Sequence, residues 1–451
     1  MVVVFVLIAV TVLAAFAALH RYAWRRLVHD TTRGPGLARR TGTAVFVAGP
    51  VLTVAALVTE RAGAPFWLQR VLGWPGFLWM ALSLYMLLAL VAGEAVRPLV
   101  RRLAAHGTRA RRTASSLPPV PPGTTHPAPR TGPGPGARPG PAAGRLSETA
   151  LDTELVSEPA AGSAREPDPG PATALALPSR RLLVSRVVGG AVAAAAVGTV
   201  GYGTYGVLRG PAVKRVTVPL ARLPRSAHGF RIAVVSDIHL GPVLGRGFAQ
   251  RVVDTINSTQ PDLIAVVGDL VDGSVKDLGP AAAPLSRLRA RHGSYFVTGN
   301  HEYYSGADQW IEEVRRLGLH PLENARTELP AFDLAGVNDL AGESEGEGPD
   351  FSKALGDRDT ARAVVLLAHQ PVQIHEAVRH HVDLQLSGHT HGGQLWPGDL
   401  VAAAANPTVA GLDRYGDTQL YVSRGAGAWG PPTRVGAPSD ITIVELASRQ
   451  A

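Results

Sequence analysis

The sequence predicts a layered α/β domain in its second half, preceded by four membrane-spanning helices. Five short apolar runs between residues 232 and 391 each stop at a residue that can bind a metal. Their length and β-branched content are typical of buried strands. Ligands of layered α/β folds bind beyond the carboxyl ends of the strands, so the five ends should converge on one site. Four apolar runs before residue 209 predict the membrane helices.

Length and composition limit the classes of protein that the chain can represent. Of its 451 residues, the segment 219–446 alone is long enough for one well-buried α/β domain. The chain has no cysteine, which excludes disulfides and thiolate metal sites and leaves His, Asp, Asn and Glu as ligands. The formal net charge is +8, but much of the excess arginine flanks apolar segments before Ser226. Nucleic acid is therefore not favoured as a partner.

The apolar runs are each about long enough to cross the hydrocarbon core of a bilayer. They are Met1 to Leu19, Ala44 to Thr59, Trp74 to Ala92 and Leu182 to Leu208. We assign residues 1–103 to three transmembrane helices and residues 181–209 to a fourth. The first run lacks the basic start and small-residue cleavage signal of a secretory peptide, so it should remain as an anchor.

The arginines between these runs predict the orientation of the protein in the membrane. Six arginines lie between the first and second runs and six follow the third, whereas the second connection carries only Arg61 and Arg70. The positive-inside rule places the first and third connections in the cytoplasm, which leaves the C-terminal half extracytoplasmic. Arg180 and Arg181 resemble either a twin-arginine export signal or an ordinary basic flank, and both give this sidedness.

Two features of the sequence concern the segment before the fourth apolar run and the packing of the helix that this run predicts. Residues 104–180 are dominated by Pro, Gly, Ala and Thr without apolar periodicity, which predicts a disordered cytoplasmic linker. Gly190, Ala194 and Gly198 recur every four residues within the run. This spacing either brings another helix close or reflects only the Ala/Gly composition.

The residues at the strand ends together predict a metal site more specifically than any one of them does alone. An isolated Asp-Gly turn or surface histidine is common, but here the motifs are ordered along the chain and each follows a predicted strand. The candidate ligands are Asp237, His239, Asp269, Asn300, His369, His389 and His391. Mixed nitrogen and oxygen donors suit Mn, Fe or Zn better than Ca or Mg. Asparagine ligates through its carbonyl oxygen, which leaves the adjacent His301 free for proton transfer.

These blocks resemble the calcineurin-like metallophosphoesterase superfamily, especially its membrane-associated bacterial branch. The resemblance rests on Asp237-Ile238-His239, Gly268-Asp269-Leu270-Val271-Asp272, Gly299-Asn300-His301-Glu302, His369 and Gly388-His389-Thr390-His391. It covers about His228 to Leu446, within the domain assigned to residues 219–446. It implies a two-sheet β-sandwich flanked by helices.

The resemblance also implies a two-metal site. It places Asp237, His239, Asp269 and His391 on one divalent metal, and Asp269, Asn300, His369 and His389 on the other. It makes His301 the proton donor, oriented by Asp272. Two cations bridged by Asp269 can lower the pKa of a shared water and neutralise the oxygens of a phosphate.

The substrate class is narrowed by one departure from the family. Gly273 stands where the protein serine/threonine phosphatases have arginine, which disfavours a phosphoprotein. The resemblance suggests a phosphodiester, pyrophosphate or phosphomonoester on an envelope lipid or wall polymer, such as a UDP-diacylglucosamine-like molecule. The alternatives are a cytoplasm-facing nucleotide phosphodiesterase and a non-catalytic, metal-stabilised membrane scaffold. No protein partner follows from the sequence.

Several other residues near the predicted loops have two interpretations each. Tyr303, Tyr304, Trp396 and Trp429 either contact a lipid, sugar or base, or pack at the rim of the site. Arg424 and Arg434 either bind a second phosphate or solvate a loop.

Overall fold

The structure, a computed structural model, describes residues 2–115 and 179–449. The segments Met1–Pro98 and Arg181–Ala451 form one compact unit, which contains both the apolar helices and the C-terminal domain.

The N-terminal part is entirely helical. Its helices are α1 (Val2–Trp24), which continues as a π-helical turn (Arg25–His29), α2 (Leu37–Arg61), α3 (Phe66–Ser115) and α4 (Arg180–Leu208). Among the described residues, three stretches are long and apolar enough to cross a membrane: Leu37–Arg61, Phe66–Val100 and Arg181–Leu208. Helix α1 covers the first predicted span but does not belong to these three, so three of the four predicted spans are supported.

The boundary between helices and linker differs from the one set by composition. Helix α3 continues to Ser115, into the range assigned to the linker. Residues 116–178, which contain most of that range, lie outside the described residues, so this part of the prediction stays a prediction.

The packed face of α4 is not the one that its small residues indicate. Its buried side chains include Val188, Val192, Ala196 and Val200. Gly190, Ala194 and Gly198 are exposed. A methyl group added at Gly190 or Gly198 would meet no atom within 4 Å. The close-packing interpretation of that row is therefore wrong for the described part of the chain.

The C-terminal domain, residues 212–448, contains two six-stranded sheets, with strands numbered here in chain order. The first sheet has the order β1 (Ala212–Leu220), β12 (Asp440–Ser448), β2 (Phe230–Val235), β3 (Leu263–Val267), β4 (Ser294–Val297) and β5 (His320–Pro321). The second has the order β10 (Gly411–Tyr415), β11 (Thr418–Val422), β9 (Leu384–Ser387), β8 (Ala363–Leu367), β7 (Phe332–Gly336) and β6 (Ala325–Glu328).

Both sheets are mixed, but each has a parallel centre. Strands β2 to β5 run parallel, with β12 antiparallel to β2. Strands β7, β8, β9 and β11 also run parallel, whereas β6 and β10 are antiparallel to their neighbours. The carboxyl ends of the parallel strands in a sheet therefore lie along one edge.

The alternation along β2 shows how the layers pack. Ile232 and Val234 contact the core between the two sheets, whereas Ala233 and Val235 contact the outer helices. Helices α5 (Arg246–Ser258), α6 (Val275–Ala282) and α8 (Ala307–Arg316) pack on the first sheet. Helices α9 (Phe351–Leu355) and α10 (Ile374–Arg379) pack on the second. Two sheets with flanking helices agree with the architecture that the resemblance implies.

The remaining helical segments lie in loops after strands. They are α7 (Asn300–Ser305), α11 (Gly398–Ala405) and the 3₁₀ turns Arg225–Ala227, Ala283–Arg287, Leu340–Glu345, Pro371–Gln373 and His391–Gly393.

The C-terminal domain is held directly against the apolar helices. Thr204 of α4 lies 2.7 Å from Thr433, oxygen to oxygen, and the amide of Arg434 donates to the carbonyl of Gly203 at 3.3 Å. The hydroxyl of Tyr85 in α3 donates to the carbonyl of Trp396 at 3.0 Å. Two helices thus orient the domain by polar contacts in addition to the connection that follows α4.

Candidate metal centre

The loops that follow the strands have an unusual backbone at the predicted ligands. The φ angles are 51° at Asp237, 48° at His239, 52° at Asp269, 73° at His389 and 53° at His391. This left-handed conformation costs a non-glycine residue about 1–2 kcal/mol. Strain of this kind is retained where the surrounding structure imposes it, and it concentrates at functional sites.

Two motif glycines are required by close approach. At Gly268, φ is +75°, and an added Cβ would lie 2.6 Å from Nδ1 of His369. At Gly299 an added Cβ would lie 2.2 Å from Oδ1 of Asp269. Any larger residue would displace a candidate ligand, so the glycines allow the strands to deliver their side chains into so small a volume.

The first ligand group comprises Asp237, His239 and His391, whose ligand atoms all lie within 4.8 Å of one another. The Nε2 atoms of His239 and His391 are 2.9 Å apart, and Nε2 of His391 lies 3.3 Å from Oδ1 of Asp237. Imidazole nitrogens that bind one cation at about 2.0–2.1 Å converge in this way.

The second group comprises Asp269, His369 and His389, again within 4.8 Å. Nε2 of His369 lies 3.1 Å from Oδ2 of Asp269. Asn300 joins the group through its Oδ1, 3.0 Å from Nδ1 of His389. Nδ1 of His369 lies 2.9 Å from the carbonyl of Val267, to which it donates. The buried Nε2 of His369 has no hydrogen-bond partner, as expected for a ligand atom.

Asp269 faces both groups. Its Oδ2 lies 3.1 Å from Nε2 of His369 and 3.8 Å from Nε2 of His239, which belongs to the first group. Its Oδ1 accepts the backbone N–H of His301 at 2.9 Å, which fixes the plane of the carboxylate. The carboxylate is thus oriented between two clusters of nitrogen and oxygen donors.

The protonation states suit ligands. Burial, together with the positive charge of neighbouring groups, lowers the pKa of His389 and of His391 to about 4, so both imidazoles are neutral at pH 7. Burial alone would raise the pKa of Asp237 and of Asp269, but the surrounding histidines hold it below its usual range. Burial lowers the pKa of His369, but the charge and hydrogen bond of Asp269 together with the charges of Asp237 and Asp339 raise it well above its usual value. A metal must therefore displace a proton there.

Asp272 contacts two histidines through a single oxygen. Its Oδ1 lies 2.6 Å from Nδ1 of His301 and 2.9 Å from Nδ1 of His239. Burial lowers the pKa of His301, but the hydrogen bond and charge of Asp272 outweigh it and raise that pKa to about 9. His301 is therefore protonated at neutral pH. The rings of Tyr304 and Trp429 lie 5.5 Å and 5.6 Å from its ring.

Glu302 positions the site, although sequence reasoning gave it no role. It is fully buried, and its carboxylate accepts the amides of Asp269 at 2.9 Å, Leu270 at 2.8 Å and Gly299 at 2.7 Å. It therefore ties the loop after β3 to the loop after β4. Burial and the nearby Asp269 carboxylate raise its pKa to about 7. The only signal in the sequence is its position next to His301.

Arg434 is a second positioning residue, and both earlier interpretations of it are wrong. Its guanidinium is buried and bonds to the carbonyls of Gly427, His391 and Ala437 at 2.6, 3.0 and 3.1 Å. Its Nη2 also lies 3.1 Å from Nδ1 of His391. It therefore supports a ligand instead of binding phosphate or water. Arg424, half-buried beside Gly392, keeps both interpretations.

The aromatic residues divide into two kinds. Tyr303 is buried, whereas Tyr304, Trp396 and Trp429 are 73%, 53% and 48% exposed. Tyr303 therefore fits the interpretation of packing at the rim of the site. The other three side chains remain free to contact a lipid, sugar or base.

Comparisons with known proteins identify the family. A model described as "Calcineurin-like phosphoesterase" matches residues 230–393. An "Uncharacterized metallophosphoesterase" from Helicobacter pylori (strain J99 / ATCC 700824) is 36% identical over 273 residues, which cover 60% of this chain and 73% of the relative. The chain belongs to the calcineurin-like metallophosphoesterase family. A relative from Aquifex aeolicus, also an "Uncharacterized metallophosphoesterase", is 35% identical over 242 residues, 52% of this metallophosphoesterase and 92% of the relative.

Vertebrate relatives add the association with a membrane. A "Transmembrane protein with metallophosphoesterase domain" from Danio rerio is 39% identical over 259 residues, 54% of this chain and 59% of the relative. The metallophosphoesterase spans less than two thirds of this relative and of its Bos taurus counterpart, at 59% and 57%. The predicted family is therefore confirmed, and the names of these relatives and the three long apolar helices agree with the predicted membrane association.

Proposed function

We propose that the protein is a membrane-anchored, two-metal phosphoesterase that hydrolyses a phosphoester of the cell envelope outside the cytoplasm. The observation that carries this proposal is the position of Asp269, whose Oδ2 faces His369 of one ligand group and His239 of the other. A two-metal hydrolase needs a carboxylate between its two ligand groups, whereas a single-metal site does not need one there.

The assignment of ligands follows the two groups. Asp237, His239, Asp269 and His391 would hold one divalent ion, and Asp269, Asn300, His369 and His389 the other, with Mn, Fe or Zn suited to these donors. When bound, the two ions supply Lewis acidity that activates water and neutralises phosphate charge. His301 holds a proton for the leaving oxygen. Asp272 accepts its Nδ1–H at 2.6 Å, so Nε2 is the nitrogen that delivers the proton.

The membrane topology combines the charge rule with packing. The connection between α2 and α3 lies on the side of the C-terminal domain: the Glu60 carboxylate interacts electrostatically with Asp272 and His301, and a Cβ added at Gly430 would lie 3.6 Å from Met80 and 3.9 Å from Phe77. That connection carries the fewest arginines, which places it and the domain outside. We include α1 as a fourth span and the stretch between α3 and α4 as a cytoplasmic linker.

An envelope substrate fits the surroundings of the site. Tyr304 and Trp429 flank His301 and are exposed, so they can contact an apolar or sugar moiety next to the phosphate. The domain lies against membrane helices, close to lipid and wall precursors. A lipid pyrophosphate or a UDP-diacylglucosamine-like diester therefore has a higher priority than a cytoplasmic nucleotide.

The test uses the full chain, loaded in turn with Mn, Fe and Zn. Bis-p-nitrophenyl phosphate, lipid pyrophosphates, wall polymers and nucleotides are the substrates. We expect hydrolysis that disappears in Asp269→Asn and persists in Asp417→Asn, whose side chain is fully exposed at the amino end of β11. Preference for nucleotides, or protease protection of the domain in intact cells, would contradict the envelope assignment.

A further inference from the structure

An uncharged, exposed segment follows the last ligand. From Gly392 to Leu412, Asp399 is the only charged residue. The segment contains α11, in which no residue is buried. Leu400 and Val401 are 68% and 73% exposed. A short helix that leaves its leucine, valine and alanines outward has a contact surface that the domain itself does not use.

This segment lies beside the part of α3 that is suited to a bilayer. Leu395 packs with Ala81 and Tyr85 of α3 and with Val200 of α4. The Tyr85 hydroxyl also bonds to the carbonyl of Trp396. Tyr85 lies inside the apolar stretch Phe66–Val100, so Leu395 and Trp396 lie beside a part of α3 that is apolar enough to cross a membrane. Helix α11 begins only three residues after Leu395.

The chemistry of the segment matches lipid better than water. Its backbone is helical from Gly398 to Ala405, so part of its amides and carbonyls bond within the helix, which lowers the cost of placing them in hydrocarbon. Asp399 lies in the first turn, where the positive end of the helix dipole favours a carboxylate. The exposed Trp396 precedes the helix and adds a large apolar ring to this surface.

We propose that α11 and Trp396 lie in the phospholipid leaflet next to α3, as a membrane-immersed helix of the catalytic domain. The occupant of the exposed surface is then the acyl chains of the bilayer. Leu395 and Trp396 join this surface to the apolar stretch of α3, and this proximity favours lipid over a second copy of the chain.

The immersed segment is connected directly to the candidate metal centre. The 3₁₀ turn His391–Gly393 joins it to a ligand. Gln394 accepts the amide of Trp429 at 3.0 Å and donates to its carbonyl at 2.9 Å, and the Trp429 ring lies 5.6 Å from that of His301. If the proposed function is correct, on which this step rests, a lipid-borne phosphoester reaches the centre from the leaflet.

The absence of cysteine allows a direct test of immersion. Leu400→Cys is labelled with a nitroxide in the full chain, in nanodiscs of phosphatidylcholine and phosphatidylglycerol. Collision rates are measured with oxygen, which enters lipid, and with a nickel chelate, which stays in water. Val197→Cys on α4, 61% exposed, provides the lipid reference, and Asp417→Cys provides the aqueous reference.

We expect the Leu400 label to match the Val197 label, with nickel collisions several-fold below those at Asp417. A Leu400 label that behaves like the Asp417 label would overturn the inference, provided that Val401→Cys agrees and that both variants keep wild-type metal content. Spin–spin broadening that requires two copies per disc would assign the surface to self-association and also overturn it.

Activity separates this inference from the proposed function. Leu400→Asp should lower hydrolysis of lipid phosphoesters in vesicles several-fold and leave hydrolysis of bis-p-nitrophenyl phosphate unchanged. If the wild type hydrolyses no phosphoester at all, the proposed function fails while the collision data still decide immersion.

Discussion

Replacement of Glu302 tests whether the loops after β3 and β4 are held by one carboxylate. In Glu302→Gln, the amide oxygen can take the place of Oε2, which bonds to Asp269 and Gly299, and so keep two of the three hydrogen bonds. The amide nitrogen then faces the N–H of Leu270, where Oε1 had accepted at 2.8 Å. One buried donor is left without an acceptor.

The expected loss of stability follows from the number of buried N–H donors that lose their acceptor. A buried donor without a partner costs about 1–3 kcal/mol, so Glu302→Gln should destabilise the domain by about that amount. Glu302→Ala leaves three such donors, or about 3–9 kcal/mol, which overlaps the whole stability of a typical domain at about 5–15 kcal/mol. Because the Asp269 amide is among them, metal affinity should fall about 10–100-fold in Glu302→Gln.

The assay combines thermal unfolding of the full chain in detergent with metal titration by calorimetry. A loss of 1 kcal/mol lowers the Tm of a domain of this size by about 2–4 °C. The matched control is Glu328→Gln on β6, whose side chain is 67% exposed and should change stability little. The reasoning fails if Glu302→Ala retains the Tm and the metal affinity of this control.

Four further predictions concern the centre and the core. His301→Ala should keep both metals and lose about 10²–10⁴-fold in turnover, as measured by metal content and steady-state kinetics; loss of metal would indicate a ligand role instead. Asp272→Asn should reduce turnover and also weaken metal binding, because its oxygen contacts His239 as well as His301, and a change in turnover alone would contradict that double contact. Arg434→Lys should lower metal affinity about 10–100-fold without raising KM for bis-p-nitrophenyl phosphate, whereas a raised KM alone would indicate phosphate binding. Burial raises the pKa of Tyr421 to about 12; its neutral form therefore stabilises the fold fully below pH 10, and about 3 kcal/mol is lost as pH rises from 10 to 12. Tyr421→Phe should therefore reduce the tyrosinate absorbance that appears near pH 12, to which Tyr303 also contributes, and an unchanged absorbance would contradict this.

Sequence reasoning located the candidate ligands because strand ends leave a local signature. A short apolar run followed by glycine and a polar residue marks the end of β3 at Gly268, and a similar run of alternating leucines marks the end of β9 at Gly388, without any knowledge of the partner strand. The structure brings all seven candidates together around Asp269. What each would bind remains an assignment to be tested by metal loading.

Other features could not be predicted from the sequence. Some depend on partners that are distant in the chain, and others depend on a residue spacing that two different helix faces share. Glu302 accepts hydrogen bonds from amides 32 and 33 residues before it, and donation by a backbone amide leaves no pattern in side-chain types. On α4, the valine row that includes Val188 and Val192 and the small-residue row that includes Gly190 have the same spacing of four. Periodicity identifies both rows, and only packing against α3 and the C-terminal domain decides which is buried.

The polar contacts of α3 and α4 with the C-terminal domain limit how far the domain can move away from these helices. Because Thr433 is held by Thr204 and Trp396 by Tyr85, the domain has little freedom to swing on a tether. These contacts fix the distance between the domain and the apolar stretches of α3 and α4. Under the proposed function, the distance of a phosphorus atom from the bilayer would then be a first criterion for a substrate, ahead of the recognition of any chemical group.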